Sequence, residues 1–309
     1  MRPWRWRLSV LVGFVVAGSL IVIGGAASAD GPVCGETVTE SVVLTADLTC
    51  SGDGLRVEGE NITIDLNGHT ISGSGVGNGM RMNPATALST TVMNGKIRGF
   101  GRGVSFAFGF FGPAAEFLTL THLNVSSNGT GVYIDIASAG FILIEDSVIS
   151  NNGGPGIFAK ESEFLRVRRN TISDNGTEGI NSFYSVDGAL YEDNLIARNG
   201  WNGIYVQRGT SQVIGNTVIG NGHEGTEGNN NGIVVLSEQQ GQYRRYLISH
   251  NRADKNAGYG IIQLGSDPSG CQGPIPCDPR PGGMPDPMSN TAKHNGNPAQ
   301  CLNITCTRN

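Results

Sequence analysis

Short runs of alternating apolar and polar residues, each led by a glycine, dominate the chain. Examples are "GVYIDI", "GIFAKE", "GIYVQR" and "GIVVLS". Their β-branched residues and their period of two are typical of short strands that bury one face. Between them, "FILIEDSVIS" and "LRVRRNTIS" predict two further strands joined by a bend. No helical spacing follows the apolar N-terminal run, so one repeat should contain three short strands and three turns.

The repeat length is nearly constant. Glycines that lead such runs recur at intervals of roughly 25 residues, which lies within the range of solenoid repeats. They are Gly54, Gly79, Gly103, Gly131, Gly156, Gly179, Gly203, Gly232 and Gly260. A period of this size with three strands per turn predicts an all-β fold, a parallel β-helix whose coils stack at the strand spacing of about 4.8 Å. The chain has room for about nine to ten coils, which would form a rod roughly 40 to 45 Å long.

Asparagines keep the same register in two columns. The first contains Asn170, Asn194, Asn216, Asn251 and Asn290, and the second, five residues later, contains Asn175, Asn199, Asn221, Asn256 and Asn295. Asn128 and Asn152 extend the second column less strictly. A stacked amide can hydrogen-bond along the axis, and asparagine tolerates left-handed backbone angles in tight bends. We therefore interpret both columns as structural.

The N-terminus predicts an extracytoplasmic protein. Arg2, Arg5 and Arg7 precede an apolar run and the small residues Ala27, Ser28 and Ala29, as in a signal peptide cleaved after residue 29. An uncleaved anchor is the alternative, although the apolar run is near the lower limit for a membrane span. Cleavage removes three arginines and changes the net charge from −5 to −8. This balance excludes nucleic acid and anionic membranes as favoured partners, and we expect a monomer.

Six cysteines lie in the exported part and bracket a cysteine-free middle. An even number fits disulfides, and we expect Cys34 to pair with Cys50 and the last four, Cys271, Cys277, Cys301 and Cys306, to pair among themselves. Metal ligation is the alternative, although no Cys-x2-Cys spacing is present. The expected organisation is a stapled N-terminal cap over 30–53, repeats over 54–264, and a Pro/Gly-rich loop, a last partial coil and a cysteine-rich cap over 265–309.

The segment "GLRVEGENITIDLNGHTISGSG" and the later "IGNTVIGN" and "NGIYV" units resemble the right-handed parallel β-helix repeat proteins of the pectin lyase-like fold superfamily. This group includes pectin lyase-like enzymes, alginate epimerases and accessory proteins of nitrous oxide reductase. The resemblance covers about residues 34–300 and implies the fold, but the same scaffold supports unrelated activities. The Gly-His-Gly of polygalacturonases is replaced by Gly222-His223-Glu224, and the Asp-Pro-His-Asp of the epimerases is absent.

The strand after each glycine should point its second residue outward. This places Tyr133, Phe158 and Tyr205 in one outward column, with Asn181 between the last two and Gln207 in the next column. Three aromatic rings on one face form a candidate platform for sugar rings. The alternative is aromatic packing between coils, worth about 0.2 to 1 kcal/mol per pair. Trp201, in the turn before the Tyr205 strand, is a second candidate for stacking on a ligand, or for shielding the coil edge.

Insertions flank the Gly232 strand on both sides and predict a groove beside that column. Its walls would carry the charged residues His223, Glu224, Glu227, Glu238, Arg244 and Arg245, with Arg208 one coil away. We assign catalysis to His223, Glu224, Glu227 and Arg208, and substrate binding to Tyr133, Phe158, Trp201, Tyr205, Gln207 and Arg244. A carboxylate beside an arginine or a histidine would supply the acid and base for glycoside cleavage or β-elimination. A solvated polar loop is the alternative.

Two further charged sets are ambiguous. Asp135 and Lys160 should form an exposed ion pair between neighbouring coils, worth about 0 to 1 kcal/mol. The acidic pairs Glu145-Asp146 and Glu192-Asp193 stack at one coil position and make calcium a candidate cofactor, although Arg168 and Arg169 lie between them. The sequence thus predicts a secreted carbohydrate-active or carbohydrate-binding β-helix protein, a polysaccharide lyase or glycoside hydrolase if it is an enzyme. A structural or adhesive surface protein is the alternative.

Overall fold

The computed structural model describes residues 31–83, 87, 89–107, 117–135, 140–184, 186, 188–207, 210–226, 228–237, 246–265, 290–302, 304, 306 and 307. The predicted signal peptide and most of the predicted Pro/Gly-rich loop lie outside these residues. Within them, every regular element is a β-strand.

The strands are β1 (Thr37–Val38), β2 (Val42–Val43), β3 (Leu48–Thr49), β4 (Leu55–Val57), β5 (Thr63–Asp65), β6 (Thr70–Ser72), β7 (Asn78–Met82), β8 (Thr90–Arg98), β9 (Arg102–Ala107), β10 (Phe117–Ser126), β11 (Thr130–Asp135), β12 (Phe141–Glu145), β13 (Val148–Ser150), β14 (Ile157–Lys160), β15 (Leu165–Arg168), β16 (Thr171–Ser173), β17 (Ile180–Phe183), β18 (Ala189–Glu192), β19 (Leu195–Ala197), β20 (Ile204–Gln207), β21 (Ser211–Ile214), β22 (Thr217–Ile219), β23 (Ile233–Ser237), β24 (Tyr246–Ser249), β25 (Arg252–Asp254), β26 (Ile261–Gly265), β27 (Thr291–Lys293) and β28 (Cys301–Leu302).

These strands form a right-handed parallel β-helix with three faces. Face A contains eleven strands in the order β1-β4-β7-β9-β11-β14-β17-β20-β23-β26-β28. Face B runs from β2 through β5, β8, β10, β12, β15, β18 and β21 to β24, and face C runs from β3 through β6, β8, β10, β13, β16, β19, β22 and β25 to β27. The long strands β8 and β10 bend around the corner and belong to both faces. Every pairing between coils is parallel, as the repeat predicts.

The helix has about eight turns, slightly fewer than the nine to ten coils that the sequence predicts. The difference lies at the two ends. The first coil contains only the two-residue strands β1, β2 and β3, and beyond β25 the described residues add only β26, β27 and β28. The glycine count includes the incomplete coil at the C-terminal end, because Gly260 leads β26.

The core consists of the inward side chains of all three faces. Ile204 and Val206 are completely buried, whereas Tyr205 and Gln207 between and after them are half-buried on the outer surface. This alternation confirms the predicted orientation of the face A strands. Glycine precedes the strand because the corner is too crowded for a side chain. A Cβ at Gly179 would lie 2.7 Å from the Gly203 carbonyl oxygen and 2.7 Å from Ile196 Cγ2.

The asparagine columns form two continuous hydrogen-bonded ladders. In the first, Asn216 Oδ1 accepts from the backbone N–H of Asn194 at 3.0 Å and from its Nδ2 at 2.9 Å. Asn194 Nδ2 also donates to the Val167 carbonyl at 2.8 Å. The pattern repeats at each step from Ser147 to Asn290. The second ladder runs from Asn128 to Asn295 and ends on Gln300 Oε1.

One part of the predicted role of these asparagines was wrong. The left-handed backbone angle belongs to the residue before each ladder asparagine, as at Arg169, Asp193 and His250, whose φ values are 54°, 52° and 58°. One left-handed residue bends the chain sharply, and the following asparagine then lies inside the corner. There its amide bonds the backbone of the preceding coil and the side chain of the next ladder asparagine, as Asn194 does with Val167 and with Asn216.

Disulfides connect Cys34 to Cys50 and Cys301 to Cys306. The first confirms the predicted pairing and joins the start of the first coil to the end of β3. The second lies near the C-terminal end, while Cys271 and Cys277 are outside the described residues. Such bonds fit an oxidising compartment. No helix in the described ranges is long and apolar enough to span a bilayer.

Candidate functional site on face A and its corner

The outward columns of face A have the register that the sequence predicts. Tyr133 pairs with Phe158, Phe158 with Asn181, and Asn181 with Tyr205. In the neighbouring column Asp135 pairs with Lys160, and Phe183 pairs with Gln207. The first column continues to Val234 and Ile262, but their exposures are only 3% and 6%. The exposed part of the column therefore ends at Tyr205.

We use the name Tyr133 cluster for Arg102, Tyr133, Asp135, Phe158 and Lys160. The Arg102 guanidinium lies 3.6 Å from the centre of the Tyr133 ring, and the Tyr133 hydroxyl donates to Asp135 Oδ2 at 3.0 Å. Asp135 Oδ1 is 3.4 Å from Lys160 Nζ, which confirms the predicted ion pair. Burial, together with the hydrogen bond to Asp135, raises the pKa of the Tyr133 phenol. The same carboxylate raises the pKa of Lys160, so both side chains keep their protons.

The two rings of the Tyr133 cluster stack on each other. The Tyr133 and Phe158 centroids are 5.2 Å apart and the planes differ by 12°. This separation is close to the coil spacing of about 4.8 Å, so the rings stack along the helix axis and turn their edges outward. A ligand on face A would meet ring edges and the polar groups around them. Tyr205 is separated from this stack by Asn181.

The corner that leads from face C into face A holds the other described candidates. We call it the C–A corner: it comprises residues 174–179 before β17, 198–203 before β20 and 220–232 before β23. His223 Nε2 and Glu224 Oε1 are 3.9 Å apart, and both side chains are more than half exposed. They line an open depression together with Asp174, Gly176, Arg198 and Gly220. The described residues that line this depression all belong to the C–A corner, and the groove wall beside face A stays a prediction.

Arg198 and Asp174 form the floor of this depression. Arg198 Nε and Nη2 donate to the two oxygens of Asp174, each at 2.7 Å. This bidentate ion pair holds the pKa of Asp174 below its usual range. Arg198 and Asp174 thus bind each other, and His223 and Glu224 lie beside this exposed pair. The predicted residues Glu227, Glu238, Arg208, Arg244 and Arg245 lie outside the part of the chain that the structure describes.

Trp201 lies in the same corner, one coil before Glu224. Its backbone N–H donates to the Thr177 carbonyl at 3.0 Å, and the Glu224 N–H donates to the Gly200 carbonyl at 2.9 Å. A Cβ at Gly200 would lie 3.3 Å from Glu224 Oε2, so the carboxylate lies over this glycine, next to Trp201. The structure thus places the Glu224 carboxylate beside the turn that carries Trp201.

The sequence analysis missed Glu178, in the turn before β17. Its exposure is only 5%, and burial raises the pKa of its carboxyl in spite of side-chain contacts with Thr177 and Asn181 that lower it. From the coil of Gly131 onward, the other coils have neutral residues at this position, namely Thr130, Pro155, Asn202, Asn231 and Tyr259. A carboxylate with neutral neighbours on both sides of its column was the signal that could have identified it.

A second missed feature is an aromatic ladder at the start of face B. Phe117 stacks on Phe141 with centroids 5.3 Å apart, and Phe141 stacks on Phe164 at 4.8 Å. Their exposures are 51%, 41% and 41%. The recurrence of "FLTL", "FILI" and "FLRV", once in each coil, could have revealed this ladder. Its rings also face one another, so it too presents edges to solvent.

The acidic pair proposed for calcium is occupied by arginines of the next coil. Arg168 Nε is 2.8 Å from Glu145 Oε2, and Arg169 Nη2 is 2.6 Å from the same oxygen and 2.7 Å from Asp146 Oδ2. Among the described residues, no group of three or more His, Cys, Asp or Glu side chains is arranged to hold a metal ion. This position therefore works as an ion-pair ladder between coils.

Several solved structures share the fold. The mannuronan C-5 epimerase AlgE6 A-module from Azotobacter vinelandii is 14% identical, with a TM-score of 0.56 over 89% of this chain and 80% of that one. The Dettilon tailspike protein is 16% identical with a TM-score of 0.48 over 74% of this chain, and this chain spans 58% of it. The enzymatically active domain of tailspike protein 2 from bacteriophage CBA120 is 11% identical with a TM-score of 0.45, covering 74% of this chain and 36% of that one.

A comparison with curated protein sequences finds no match. Residues 108–271, more than half of the chain, match the family described as "Right handed beta helix region". The chain belongs to this right-handed β-helix family.

Proposed function

We propose that this protein is secreted and engages a polysaccharide along the outer surface of face A and the adjoining C–A corner. The observation that carries the proposal is the Tyr133 cluster, in which a phenol, a carboxylate, an ammonium and a guanidinium are held together on one outward strip. Asn181 and Tyr205 continue this strip, and Trp201 lies in the corner beside it. The predicted signal peptide and the disulfides support an extracellular location.

The chemistry of the strip suits a sugar chain better than other polymers. Hydroxyl-rich ligands need many hydrogen-bond donors and acceptors, and the strip offers them together with the outward edges of its aromatic rings. The acidic net charge is unfavourable for nucleic acid. The epimerase module shares the fold and is named for mannuronan. That likeness shows the fold, so the assignment of a glycan rests on the residues of face A.

Within this proposal, Tyr133, Phe158, Trp201, Tyr205 and Gln207 contact the substrate. His223 and Glu224 are the described groups for proton transfer, because an imidazole and a carboxylate lie 3.9 Å apart and are open to solvent. The reaction is the cleavage of a glycosidic bond, by hydrolysis or by β-elimination.

A structural or adhesive surface protein is the second candidate, and one observation favours it. The rings of Tyr133 and Phe158 cover each other's faces, and Asp135 is already bonded to both Tyr133 and Lys160. Such a strip stabilises the stack of coils without any ligand. This candidate predicts that no glycan binds to face A.

A panel of plant, algal and bacterial polysaccharides separates the two candidates. Affinity electrophoresis measures binding, and assays for new reducing or unsaturated chain ends measure cleavage. We expect at least one polymer to bind, and Trp201→Ala and Tyr205→Ala to weaken that binding about tenfold or more. Phe117→Ala is the matched control, because it removes an exposed ring from face B. Absence of binding throughout the panel, or equal losses in all three variants, would favour the structural candidate.

A further inference from the structure

The aromatic ladder of face B has no role in the proposed function. Phe117, Phe141 and Phe164 stack on three successive coils, and all three rings are exposed. The register of β15 and β18 places Gly188 at the same position one coil later, where a Cβ would lie 3.1 Å from Phe164 Cδ1. The ladder therefore ends at a position without a side chain. Contiguous exposed apolar surface is a common mark of an interaction site.

Two further columns of outward side chains run beside the ladder, from β5 to β24. The middle column contains Thr63, Thr91, Thr119, Leu143, Arg166, Leu190, Gln212 and Leu247. The outer column contains Asp65, Met93, Thr121, Glu145, Arg168, Glu192, Ile214 and Ser249. At the centre of the outer column the sign of the charge alternates from coil to coil, as Glu145, Arg168 and Glu192.

A second copy of face B, turned end for end, has columns that match these. A two-fold axis parallel to the strands, passing between β12 and β15, preserves each column and reverses the order of the coils. Strand β12 of one copy would then face β15 of the other, β10 would face β18, β8 would face β21, and β5 would face β24. Eight of the nine face B strands in the described part of the chain thus have a counterpart.

The charges of the two faces are complementary in this arrangement. Glu145 of each copy would lie opposite Arg168 of the other. The remaining acids of the outer column would lie opposite hydroxyl groups, since Glu192 faces Thr121 and Asp65 faces Ser249. Within these columns no charge faces another of the same sign. Such complementarity fixes the register of an interface and disfavours other partners.

The apolar side chains are complementary as well. Phe141 would lie against Phe164 of the second copy, and Met93 would lie against Ile214. Phe117 would face Gly188, so that the last ring of one ladder meets the position without a side chain in the other. The largest and the smallest residue of the ladder column are thereby brought together at both ends.

The size of face B sets the strength of the contact. Eight strands at about 4.8 Å cover about 38 Å, and five residues of strand cover about 16 Å, which gives roughly 600 Å² on each copy. Specific interfaces bury about 800 Å² per partner, and weaker, transient ones bury less. We therefore expect an association in the micromolar range.

We infer that face B is the interface of a two-fold dimer in which the two β-helices lie antiparallel. This assembly takes the place of the monomer that the sequence predicts. Face A and the C–A corner lie outside the interface, so the inference is independent of the proposed function.

The first test measures the mass of the protein in solution. The full chain is expressed with its own N-terminus, so that any processing takes place, and is studied by sedimentation velocity from low micromolar to near millimolar concentration. The mass should double as the concentration rises. Phe141→Arg should weaken the association about tenfold or more, because it places a charge among the rings. Leu195→Arg is the matched control: Leu195 is 42% exposed, as against 41% for Phe141, but lies on face C, so the variant should dimerise normally.

The second test examines the orientation of the two copies. Met93→Cys and Ile214→Cys are made as separate variants, mixed, and treated with a short bis-maleimide cross-linker. The mixture should give a cross-linked dimer, because residue 93 of one copy faces residue 214 of the other. Either variant alone should remain uncross-linked, because its two cysteines lie five coil steps, about 24 Å, apart across the dimer.

Several outcomes would overturn the inference. They are a monomer at every concentration, a trimer or larger assembly, a dimer that Phe141→Arg leaves intact, and equal losses in Phe141→Arg and Leu195→Arg. Cross-linking of a single variant would show a different arrangement. If the protein is a monomer and Phe141→Arg weakens polysaccharide binding, the occupant of the ladder is a glycan and the dimer is wrong.

Discussion

The amide ladders and the C–A corner use the same residue type in opposite ways. In the ladders, Asn194 and Asn199 each accept from the coil before and donate to the coil after, so both polar atoms are satisfied. In the corner, Asn202 satisfies its oxygen only, and in the adjoining strand β17 Asn181 leaves its oxygen without a partner in the described chain. Repetition therefore serves the fold, and the positions that depart from it are the candidates for binding and catalysis.

Removing one ladder amide should have the largest effect on stability. Asn199→Ala deletes the acceptor for both donors of Asn175 and leaves Asn221 Oδ1 with fewer donors. Several buried groups lose partners at about 1–3 kcal/mol each, so we expect the free energy of unfolding to fall by roughly 3 kcal/mol or more. Chemical denaturation measures this change. Asn181→Ala is the matched variant: it removes the side-chain hydrogen bond to Glu178 but no partner of its amide oxygen, so it should cost less, about 1 kcal/mol. Equal losses in the two variants would remove the distinction between ladder and corner.

Adding a side chain at Gly179, where the C–A corner is most crowded, should have the next largest effect on stability. Gly179→Ala forces a methyl group against the Gly203 carbonyl and Ile196, and we expect a loss of about 1–3 kcal/mol. Gly52→Ala is the control, because a Cβ there meets nothing within 4 Å. Thermal unfolding of both variants shows whether close packing, rather than glycine's flexibility, requires a glycine at position 179. A normal melting temperature for Gly179→Ala would contradict this.

Glu178 should make stability depend on pH. Its folded pKa is raised above the unfolded value, so its favourable contribution is complete below the unfolded pKa and is lost as the pH rises through the folded pKa. Glu178→Gln should therefore match the parent protein near pH 4 and be more stable at pH 8. Each unit of difference between the two pKa values corresponds to about 1.4 kcal/mol. If the variant is less stable at pH 8, the folded protein stabilises the Glu178 carboxylate. The polar groups of the corner would then be satisfied, as those of the ladders are.

The exposed ion pair beneath His223 should have the smallest effect. Arg198 is 63% and Asp174 35% exposed, and pairs of this kind are worth about 0–1 kcal/mol. Arg198→Ala should therefore change the free energy of unfolding by less than about 1 kcal/mol. Because Arg198 lowers the pKa of Asp174, this small contribution is present at neutral pH and is lost on acidification through the folded pKa. Denaturation at pH 7 and pH 3 measures it. A loss well beyond the range of exposed pairs, about 2 kcal/mol or more, would show that the corner depends on this pair.

The fold could be predicted from the sequence because it depends on residue patterns that repeat in every coil. The alternation that buries Ile204 and Val206, the spacing of the glycines and the pairing of Cys34 with Cys50 all follow from positions along the chain. The burial of Glu178 follows instead from neighbouring coils, which no single repeat reveals. The burial of Val234 and Ile262 in an outward column was missed for the same reason.

The second amide ladder also affects how fast the protein is damaged by deamidation. Five of its asparagines are followed by glycine between Asn128 and Asn221, and Asn-Gly is the sequence most prone to deamidation, in which the glycine nitrogen attacks the side-chain carbonyl. Here the glycine N–H groups donate to the preceding coil, as Gly176 does to Asn152 and Gly200 to Asn175, both at 2.8 Å. The amides are held by their own hydrogen bonds and cannot rotate into the attacking geometry. A sequence that would deamidate quickly as a free peptide is thereby chemically durable in the folded protein.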